Sequence, residues 1–520
     1  MQSPALNFSP RGLYIGGRWV APAEGKFFAS INPSNMEALA EVPSATDVDV
    51  GAAVQAAKVA FKDWARVPIK ERARCLELLA DRIEDNADAL ALIDAVDSGN
   101  AIVGMRGDMV WTAEWLRYCA GLVTEVKGET FSQGGRHLNL TRRQPFGVVA
   151  KINPFNHPFR FCAEKAAAPL AAGNTVVIKG SEQAPLSSLR LGELCEGIFP
   201  EGVVNIVTGD GAVGAALVRH PDVRRIGFVG SVPTGRVIAK EAAAGLKRVS
   251  LELGGKNPII IFPDADPKKA ASAAIKGMNM NRQGQSCSST SRVFVHASLH
   301  KQVIAELVAL AEALPVGAPW LKQNEVGPIV SQREFDRVLG FIESAKAEGA
   351  KLLTGGGKPS DPSLANGLFI APTVFDAVTP AMRIAREEIF GPVMSVMSWN
   401  DYDDMLEKVN DVEYGLTAAI VTNDLAKAME TAERVEAGYV WINSSGRYIG
   451  APMAAGSRAE LAKRNASRKS SAIRRSKTST CDGDQTPKRN DFNLNPNFAL
   501  ASRLSMIFPE NRYPLLPIML

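Results

Sequence analysis

The sequence lacks the features of a secreted or membrane-spanning protein. No apolar run reaches about 18 residues, the length expected of a membrane span. The first residues, MQSPALNFSPRG, lack the basic and then apolar pattern of a signal peptide. Six cysteines are spread along 520 residues without a CxxC pair, so we expect reduced thiols rather than disulfides. These absences predict a cytoplasmic protein with no membrane partner.

The sequence also lacks a basic body. Its formal net charge is +4, but residues 457–520 carry 12 Lys and Arg against 5 Asp and Glu, so the remainder holds 47 basic and 50 acidic residues. A nucleic-acid-binding protein needs basic residues clustered on its folded body. We therefore expect no nucleic-acid partner.

What the sequence does contain is a regular alternation of apolar runs and helical patterns. Helical spacing over 47–66 and 69–98 comes first, and from GVVAKI (147–152) to VSLEL (249–253) β-branched runs alternate with helical segments. Such an alternation predicts a parallel sheet that is covered on both faces. A second α/β pattern runs from NPIII (257–261) to about 443.

The predicted fold class is therefore α/β, with a doubly wound parallel-sheet domain, a second α/β domain and a small β arm. A chain of this length is expected to form two or three domains. The predicted bounds are 1–121 with 145–253 for the first domain, 254–445 for the second, 122–144 with residues after 446 for the arm, and 457–520 for a disordered tail.

Three polar residues at strand ends or in loops are candidates for catalysis. Cys287 lies in the small polar loop NRQGQSCSSTSR, where backbone amides could stabilise a thiolate or an oxyanion, unless it is an incidental surface thiol. Glu252 is the one acid in the apolar strand VSLEL, suited to activating water or to a buried ion pair. Asn156 lies in the proline-stiffened turn NPFNHP, where it could donate to an oxyanion or serve the turn alone.

Other strand ends supply candidates for binding a dinucleotide. Gly230, Ser231 and Gly235 of GSVPTG follow a strand and precede a helix, where backbone amides can approach a phosphate. Lys179 ends the second strand of the sheet, and Glu182 follows it where a carboxylate could accept both ribose hydroxyls. The alternative for Glu182 is a solvated loop charge.

Together these segments resemble the NAD(P)-dependent aldehyde dehydrogenase superfamily. The resemblance covers about residues 12–452 and rests on motifs in the family's order: PFNHP, IKGSEQAP, FVGSVPTG, LELGGKNP, GQSC, EEIFGP, NDVEYGLTAA and GYVWIN. It implies oxidation of an aldehyde to a carboxylic acid by a homo-dimer or tetramer. It also implies that the first domain binds NAD(P), that the second is catalytic and that the arm serves oligomerisation.

The resemblance implies a role for each matched residue. Cys287 corresponds to the nucleophile that forms a thioester, Glu252 to the general base that activates water, and Asn156 with the Cys287 N–H to the oxyanion hole. NAD is favoured because a carboxylate at Glu182 repels a 2′-phosphate, with NADP as the alternative, and no metal ion is implied. The implied cofactor contacts are Lys179, Glu182, Gly230, Ser231, Gly235, Glu388 and Phe390.

The chain departs from the family beside its substrate tunnel. Phe155 stands where the family usually has Trp. His157, Phe161 and Glu164 fall at i, i+4 and i+7 of one helical segment and so share the face that lines the tunnel. The resemblance therefore implies a tunnel that is less apolar than usual in the family.

After Pro452 the sequence departs from the family's ending. One explanation is a natural disordered extension. Another is a reading-frame change near 452–458, because suitable codons for Arg458 through Thr478, read in the neighbouring frame, give a family-like ending. The codons of the gene distinguish the two. Loss of that ending would leave an edge of the arm unpaired, so we expect impaired oligomerisation.

Two further functions stay open. A CoA-acylating aldehyde dehydrogenase would transfer the acyl group to CoA, and it has no need of an acid at position 252. A catalytically impaired family member could serve as a binding or structural protein. The presence of Cys287, Glu252 and Asn156 favours the hydrolytic enzyme over both.

Overall fold

The computed structural model describes residues 3–132, 138–446, 448–450 and 478–481. The predicted α/β class is confirmed, because two mixed, mainly parallel sheets carry helices on their faces. Among the described helices, none combines the length and apolar character needed to cross a bilayer.

The strands of the described residues are β1 (Leu13–Ile15), β2 (Arg18–Val20), β3 (Phe27–Ile31), β4 (Ala38–Pro43), β5 (Thr130–Ser132), β6 (Leu138–Leu140), β7 (Val148–Ile152), β8 (Thr175–Lys179), β9 (Val204–Val207), β10 (Val223–Val229), β11 (Arg248–Glu252), β12 (Pro258–Ile261), β13 (Arg292–His296), β14 (Lys351–Thr354), β15 (Thr373–Asp376), β16 (Val393–Trp399), β17 (Thr417–Val421), β18 (Tyr439–Ile442) and β19 (Thr478–Cys481).

The α-helices of the same residues are α1 (Asp47–Trp64), α2 (Ile69–Asp85), α3 (Ala87–Ser98), α4 (Ile102–Gly121), α5 (Pro158–Ala171), α6 (Leu186–Cys195), α7 (Gly211–Arg219), α8 (Val232–Ala244), α9 (Pro267–Gly277), α10 (His300–Ala313), α11 (Gln332–Ala347), α12 (Arg383–Arg386), α13 (Tyr402–Asn410) and α14 (Leu425–Arg434). Short 3-10 helices cover Leu122–Glu125, Met280–Arg282 and Pro362–Leu364.

The first sheet has the strand order β11-β10-β7-β8-β9-β1-β2. Strands β7 to β11 are parallel, and the β1–β2 hairpin is added antiparallel at the β9 edge. Alternate residues of β7 enter different cores: Val149 packs in the core that includes α5, whereas Val148 and Ala150 pack in the core that includes α1. Burial on both faces explains why these strands are apolar throughout.

The second sheet has the strand order β14-β15-β16-β13-β12-β17-β18-β19. It is parallel except for β14, which pairs antiparallel with β15. Strand β19 comes from the segment predicted as a disordered tail and pairs with β18 in parallel. The rest of 457–520 lies outside the described residues.

The predicted arm is a small separate sheet. Strands β5 and β6 pair antiparallel, and residues 133–137 between them lie outside the described residues. The two large sheets are joined directly, because β11 ends at Glu252 and β12 begins at Pro258. The glycines between these strands, Gly254 and Gly255, therefore lie where the two sheets meet.

Candidate active site

Glu252 lies at the carboxyl end of the first sheet. It is the last residue of β11, pairs with Val229 of β10 and is half-buried. The backbone N–H of Gly230 donates to the Glu252 carbonyl oxygen at 3.0 Å. The candidate base therefore adjoins the glycine turn that precedes α8, in the region where parallel α/β sheets bind their ligands.

Two lysines interact with Glu252. The negative charge of Glu252 acts to raise the pKa of Lys151 in β7 and of Lys165 in α5. Burial, reinforced by the nearby Arg225 and Lys165 and opposed by Glu252, lowers the pKa of Lys151 to about 7. Two lysine side chains are therefore within electrostatic reach of the Glu252 carboxylate.

The loop that carries Cys287, here residues 279–289, is fastened to the segment after Glu252. Nδ2 of Asn257 donates to the carbonyl oxygens of Cys287 (2.8 Å) and Ser289 (3.0 Å), and its Oδ1 accepts from the Thr417 N–H at 3.0 Å. A methyl group at Gly255 would overlap the Cys287 carbonyl. Glycine at this position thus permits the Cys287 loop to approach the backbone that follows Glu252.

Glu388 reaches the same glycine pair from the loop that precedes β16. Its Oε1 accepts a hydrogen bond from the Gly255 N–H at 3.0 Å, and a methyl group at Gly254 would overlap its carboxylate. Burial raises the pKa of Glu388 to about 7. Glu252, Cys287 and Glu388 therefore belong to segments that converge on Gly254 and Gly255.

Phe390 lies two residues further along, in a strained backbone conformation. Its φ angle is +55°, a region that costs free energy for a residue with a side chain. Arg337 holds the preceding loop by donating to the carbonyl oxygens of Glu388 (3.1 Å) and Ile389 (2.7 Å). The Phe390 ring meets that of Phe155 edge to face, with centroids 5.7 Å apart. This contact joins the EEIFGP loop to the turn that contains Asn156.

Asn156 lies in the turn between β7 and α5 and is only 2% exposed. Its Oδ1 is buried with no hydrogen-bond partner among the described residues, so the amide is not committed to the fold at that atom. Nδ2 of Asn100 donates to the Asn156 carbonyl at 3.2 Å, and Nε2 of Gln283 donates to the carbonyl of Gly99 at 2.8 Å. The 99–100 corner therefore contacts both the Asn156 turn and the Cys287 loop.

Five of the seven candidate cofactor residues lie at or just after the carboxyl ends of β8 and β10, the strands on either side of β7. Lys179 is 3% exposed, and its Nζ lies 3.2 Å from Oε2 of Glu182. Ser231 is an exposed residue that caps α8, where its Oγ accepts from the Thr234 N–H at 3.4 Å. A methyl group at Gly235 would overlap Leu253, so this glycine permits α8 to pack against the chain beyond β11.

The three residues that share the predicted tunnel face lie at the start of α5. His157 is the residue immediately before the helix, and its ring lies 4.9 Å from that of Phe161. Glu164 is buried, and Arg160 donates to it at 2.7 Å. The charge of Glu164 is therefore balanced within its own helix.

Several residues with clear contacts in this region were not singled out from the sequence. These residues form hydrogen bonds that hold the loops of the site, but the partners of those bonds lie far away in sequence. They are Asn257, Asn100, Asp108 and Arg282. Only Asn257, within LELGGKNP, carried a signal, because it stands in a matched motif. Within the described residues, no group of three or more His, Cys, Asp or Glu side chains could hold a metal ion.

Known proteins of one family match most of this chain. The family model described as the aldehyde dehydrogenase family matches residues 19–458. Among curated proteins, the aldehyde dehydrogenase tropH of Talaromyces stipitatus is 42% identical over 438 residues, which cover 83% of this chain and 85% of that protein. The match to the family model ends at residue 458, close to the point where the C-terminal sequence departs from the family.

Solved structures give the same result. The NAD+ complex of an aldehyde dehydrogenase from Bacillus cereus is 39% identical, with a TM-score of 0.84, over 88% of this chain and 93% of that one. The betaine aldehyde dehydrogenase of Staphylococcus aureus, in complex with NAD+, is 33% identical, with a TM-score of 0.85, over 88% and 91% of the two chains.

Proposed function

This chain belongs to the aldehyde dehydrogenase family, and we propose that it oxidises an aldehyde to a carboxylic acid with NAD, through a thioester on Cys287. The observation that carries the proposal is the convergence of the Cys287 loop, the segment after Glu252 and the Glu388 carboxylate on Gly254 and Gly255. The segments that carry the thiol, the carboxylate and the Asn156 amide are thus fastened to one another by these contacts, which supports the proposal.

The residues at the carboxyl edge of the first sheet fit a dinucleotide. Helix α8 directs its N-terminus and the exposed Ser231 toward solvent, as an anion site requires. Lys179 and Glu182 lie at the carboxyl end of β8, on the other side of β7. They offer a cation and an acceptor for ribose hydroxyls. When bound, NAD supplies the two-electron acceptor that aldehyde oxidation requires. Residues 1–121 and 145–253 are accordingly proposed as the cofactor domain, and 254–445 as the catalytic domain.

The first half of the proposed reaction belongs to Cys287 and Asn156. The Cys287 thiolate attacks the aldehyde carbon and forms a C–S bond, while the carbonyl oxygen gains negative charge. The Asn156 amide and the Cys287 backbone N–H donate hydrogen bonds to that oxygen. Oxidation of this adduct leaves the acyl group on sulfur as a thioester.

The second half belongs to Glu252. Its carboxylate takes a proton from water, the water oxygen attacks the thioester carbon, and the C–S bond breaks to release the acid and the thiol. A half-buried carboxylate at a strand end is accessible to such a water and is held by the strand. Glu252 is the reason for proposing hydrolysis rather than transfer to CoA.

The aldehyde itself is not specified by these residues. His157, Phe161 and Glu164 are proposed to line its path, and the resemblance predicts a path that is less apolar than usual. The cytoplasmic location and the homo-oligomeric assembly stay predictions.

A panel of aldehydes tests the proposed function. With NAD, the wild-type protein is expected to form NADH and free acid, with no requirement for CoA. Cys287→Ala is expected to abolish turnover and leave NAD binding intact, since the cofactor candidates lie on other elements. Turnover by Cys287→Ala, or acyl-CoA as the product, would overturn the proposal.

A further inference from the structure

Asp108 is the centre of a buried ionic cluster that the proposed chemistry does not use. It lies within α4, and its side chain is 3% exposed. Its Oδ2 accepts from Nδ1 of His157 at 2.5 Å, and its Oδ1 accepts from Arg282 (2.8 Å) and Arg160 (3.1 Å). Both carboxylate oxygens are therefore engaged.

The partners of Asp108 come from the two segments that carry the proposed chemistry. His157 is bonded directly to Asn156 and precedes α5, and Arg160 lies in the first turn of that helix. Arg282 belongs to the Cys287 loop, five positions before the cysteine, and also donates to the Gly104 carbonyl of α4 at 3.4 Å. One carboxylate thus joins the Asn156 turn and the Cys287 loop to one helix.

The charges explain why the cluster is fixed. Burial alone would raise the pKa of Asp108, but the charge of Arg282, the hydrogen bond from His157 and the charge of Arg160 hold it well below its usual range, so Asp108 is an anion. Burial lowers the pKa of His157 to about 4, so at neutral pH the ring is uncharged and donates through Nδ1–H. Arg160 has a second carboxylate partner in Glu164. For Arg282, Asp108 is the carboxylate partner among the described residues.

We propose that Asp108 is a positioning residue that sets the placement of Cys287 relative to Asn156. The inference rests on the proposed function, in which both residues act on one carbonyl group. Nucleophile and oxyanion donor reside on different elements, and an error of about 1 Å in such a pair can cost about 10²-fold in rate. His157 and Arg282 restrict the movement of the Asn156 turn relative to the Cys287 loop, because both donate to the Asp108 carboxylate.

Asp108→Asn tests the proposal while keeping the side-chain size. It removes the negative charge that holds Arg282. The new amide nitrogen is a donor, and the groups that contact Asp108 are donors too, so this nitrogen finds no acceptor among them. We expect kcat to fall by about 10²-fold. The KM for NAD should not change, because Lys179, Glu182 and Ser231 lie at other strand ends. A residue that only stabilised the fold would not separate kcat from cofactor binding in this way.

Arg282→Lys tests the same link from the other side. It keeps the positive charge but withdraws the planar guanidinium that bridges Asp108 and Gly104. We expect a similar loss of kcat, and the double variant should lose no more than Asp108→Asn alone, because both changes cut one connection. Should Asp108→Asn fail to fold, Arg282→Lys decides the matter by itself.

Asp94→Asn is the matched control. Asp94 is also a buried aspartate and also contacts the start of α5, where it accepts from the Phe159 N–H at 3.2 Å, but no hydrogen bond joins it to the Cys287 loop among the described residues. Its asparagine variant should keep kcat near the wild-type value. The proposal is overturned if Asp108→Asn and Arg282→Lys keep wild-type kcat, or if Asp94→Asn loses as much as they do. Failure of the proposed function would differ, since wild-type turnover would then be absent or independent of Cys287.

Discussion

At the scale of single residues, the candidate site contains a buried polar atom that has no hydrogen-bond partner within the described fold. Asn156 is the clearest case, because Oδ1 is buried and has no hydrogen-bond partner among the described residues. An unpaired buried amide oxygen costs stability. The donor in the proposed oxyanion hole is Nδ2 of the same amide, so the fold keeps this amide despite the cost of its unpaired oxygen.

Asn156→Ala should therefore separate activity from stability. Loss of one oxyanion donor typically lowers kcat by about 10²–10³-fold, while no hydrogen bond of Oδ1 is lost within the described fold. Steady-state kinetics with a good aldehyde, beside a thermal unfolding midpoint, measures both. A variant that turns over like the wild type would remove Asn156 from the proposed oxyanion hole.

Glu182 should set the choice between NAD and NADP. Its carboxylate lies beside the Lys179 ammonium, where it would repel a 2′-phosphate. Removing that charge with Glu182→Gln should improve kcat/KM for NADP by about tenfold, or about 1.4 kcal/mol.

The control for this change is Glu201→Gln, which removes the same charge from an exposed position before β9, at the opposite end of the sheet. The ratio of kcat/KM for the two cofactors should not move in this control. Equal effects of the two variants would assign the preference to net charge instead of to Glu182.

At the scale of elements, helix α3 supplies buried carboxylates to its neighbours. Asp94 accepts from the N–H of Phe159 in α5, and Asp97 accepts from the N–H of Leu186, at 2.9 Å, at the start of α6. Burial raises the pKa of Asp94 to about 8 and that of Asp97 to about 7. Helix α3 thus satisfies the first N–H groups of two helices, at an electrostatic cost that depends on pH.

Asp94→Asn should become relatively more stable as pH rises. Between about pH 4 and 8, folded Asp94 holds a proton that the unfolded chain has released, so a rise in pH destabilises the wild type by up to about 1.4 kcal/mol per pH unit. Asparagine does not titrate and can still accept from Phe159. Urea unfolding at pH 5 and pH 8 measures the difference, and an equal difference at both would contradict the burial of a protonated Asp94.

The elements were largely predictable from the sequence, whereas their contacts were not. Strands β7, β11 and β12 lie within one residue of the predicted runs GVVAKI, VSLEL and NPIII, because apolar, β-branched runs mark strands in a covered sheet. The helical stretch 69–98 divides at Asn86 into α2 and α3, a break that apolar spacing alone does not reveal. Asp108 and Arg282 meet across 174 positions, and no local pattern encodes such a pair. Motifs in the sequence therefore located the candidate catalytic residues. The residues that hold their loops in place were identified only from the fold.

At the scale of the whole molecule, the arm and the C-terminal segment decide the expected assembly. Strands β5 and β6 form a two-stranded sheet, and Phe131 and Leu140 are 40% and 46% exposed. A two-stranded sheet of this kind is marginal by itself. The resemblance to the family implies that a C-terminal strand completes the arm, and the sequence after Pro452 does not match that strand.

We therefore expect the full chain to form a weak oligomer or a monomer. Size-exclusion chromatography over a range of concentrations measures this. A chain whose residues after 457 are replaced by the family-like ending read in the neighbouring frame is the control, and it should form a stable dimer or tetramer. A stable oligomer of the unmodified chain would contradict the expectation.

The proposed function depends on a covalent acyl group on the sulfur atom of Cys287, and Glu252→Gln tests that intermediate most directly. With its water-activating carboxylate removed, the protein should accept one aldehyde per site, release NADH once and stall. Mass spectrometry of the stalled protein is predicted to find the acyl mass on the peptide that contains Cys287. An adduct on another residue, or rapid turnover with no adduct, would contradict the account.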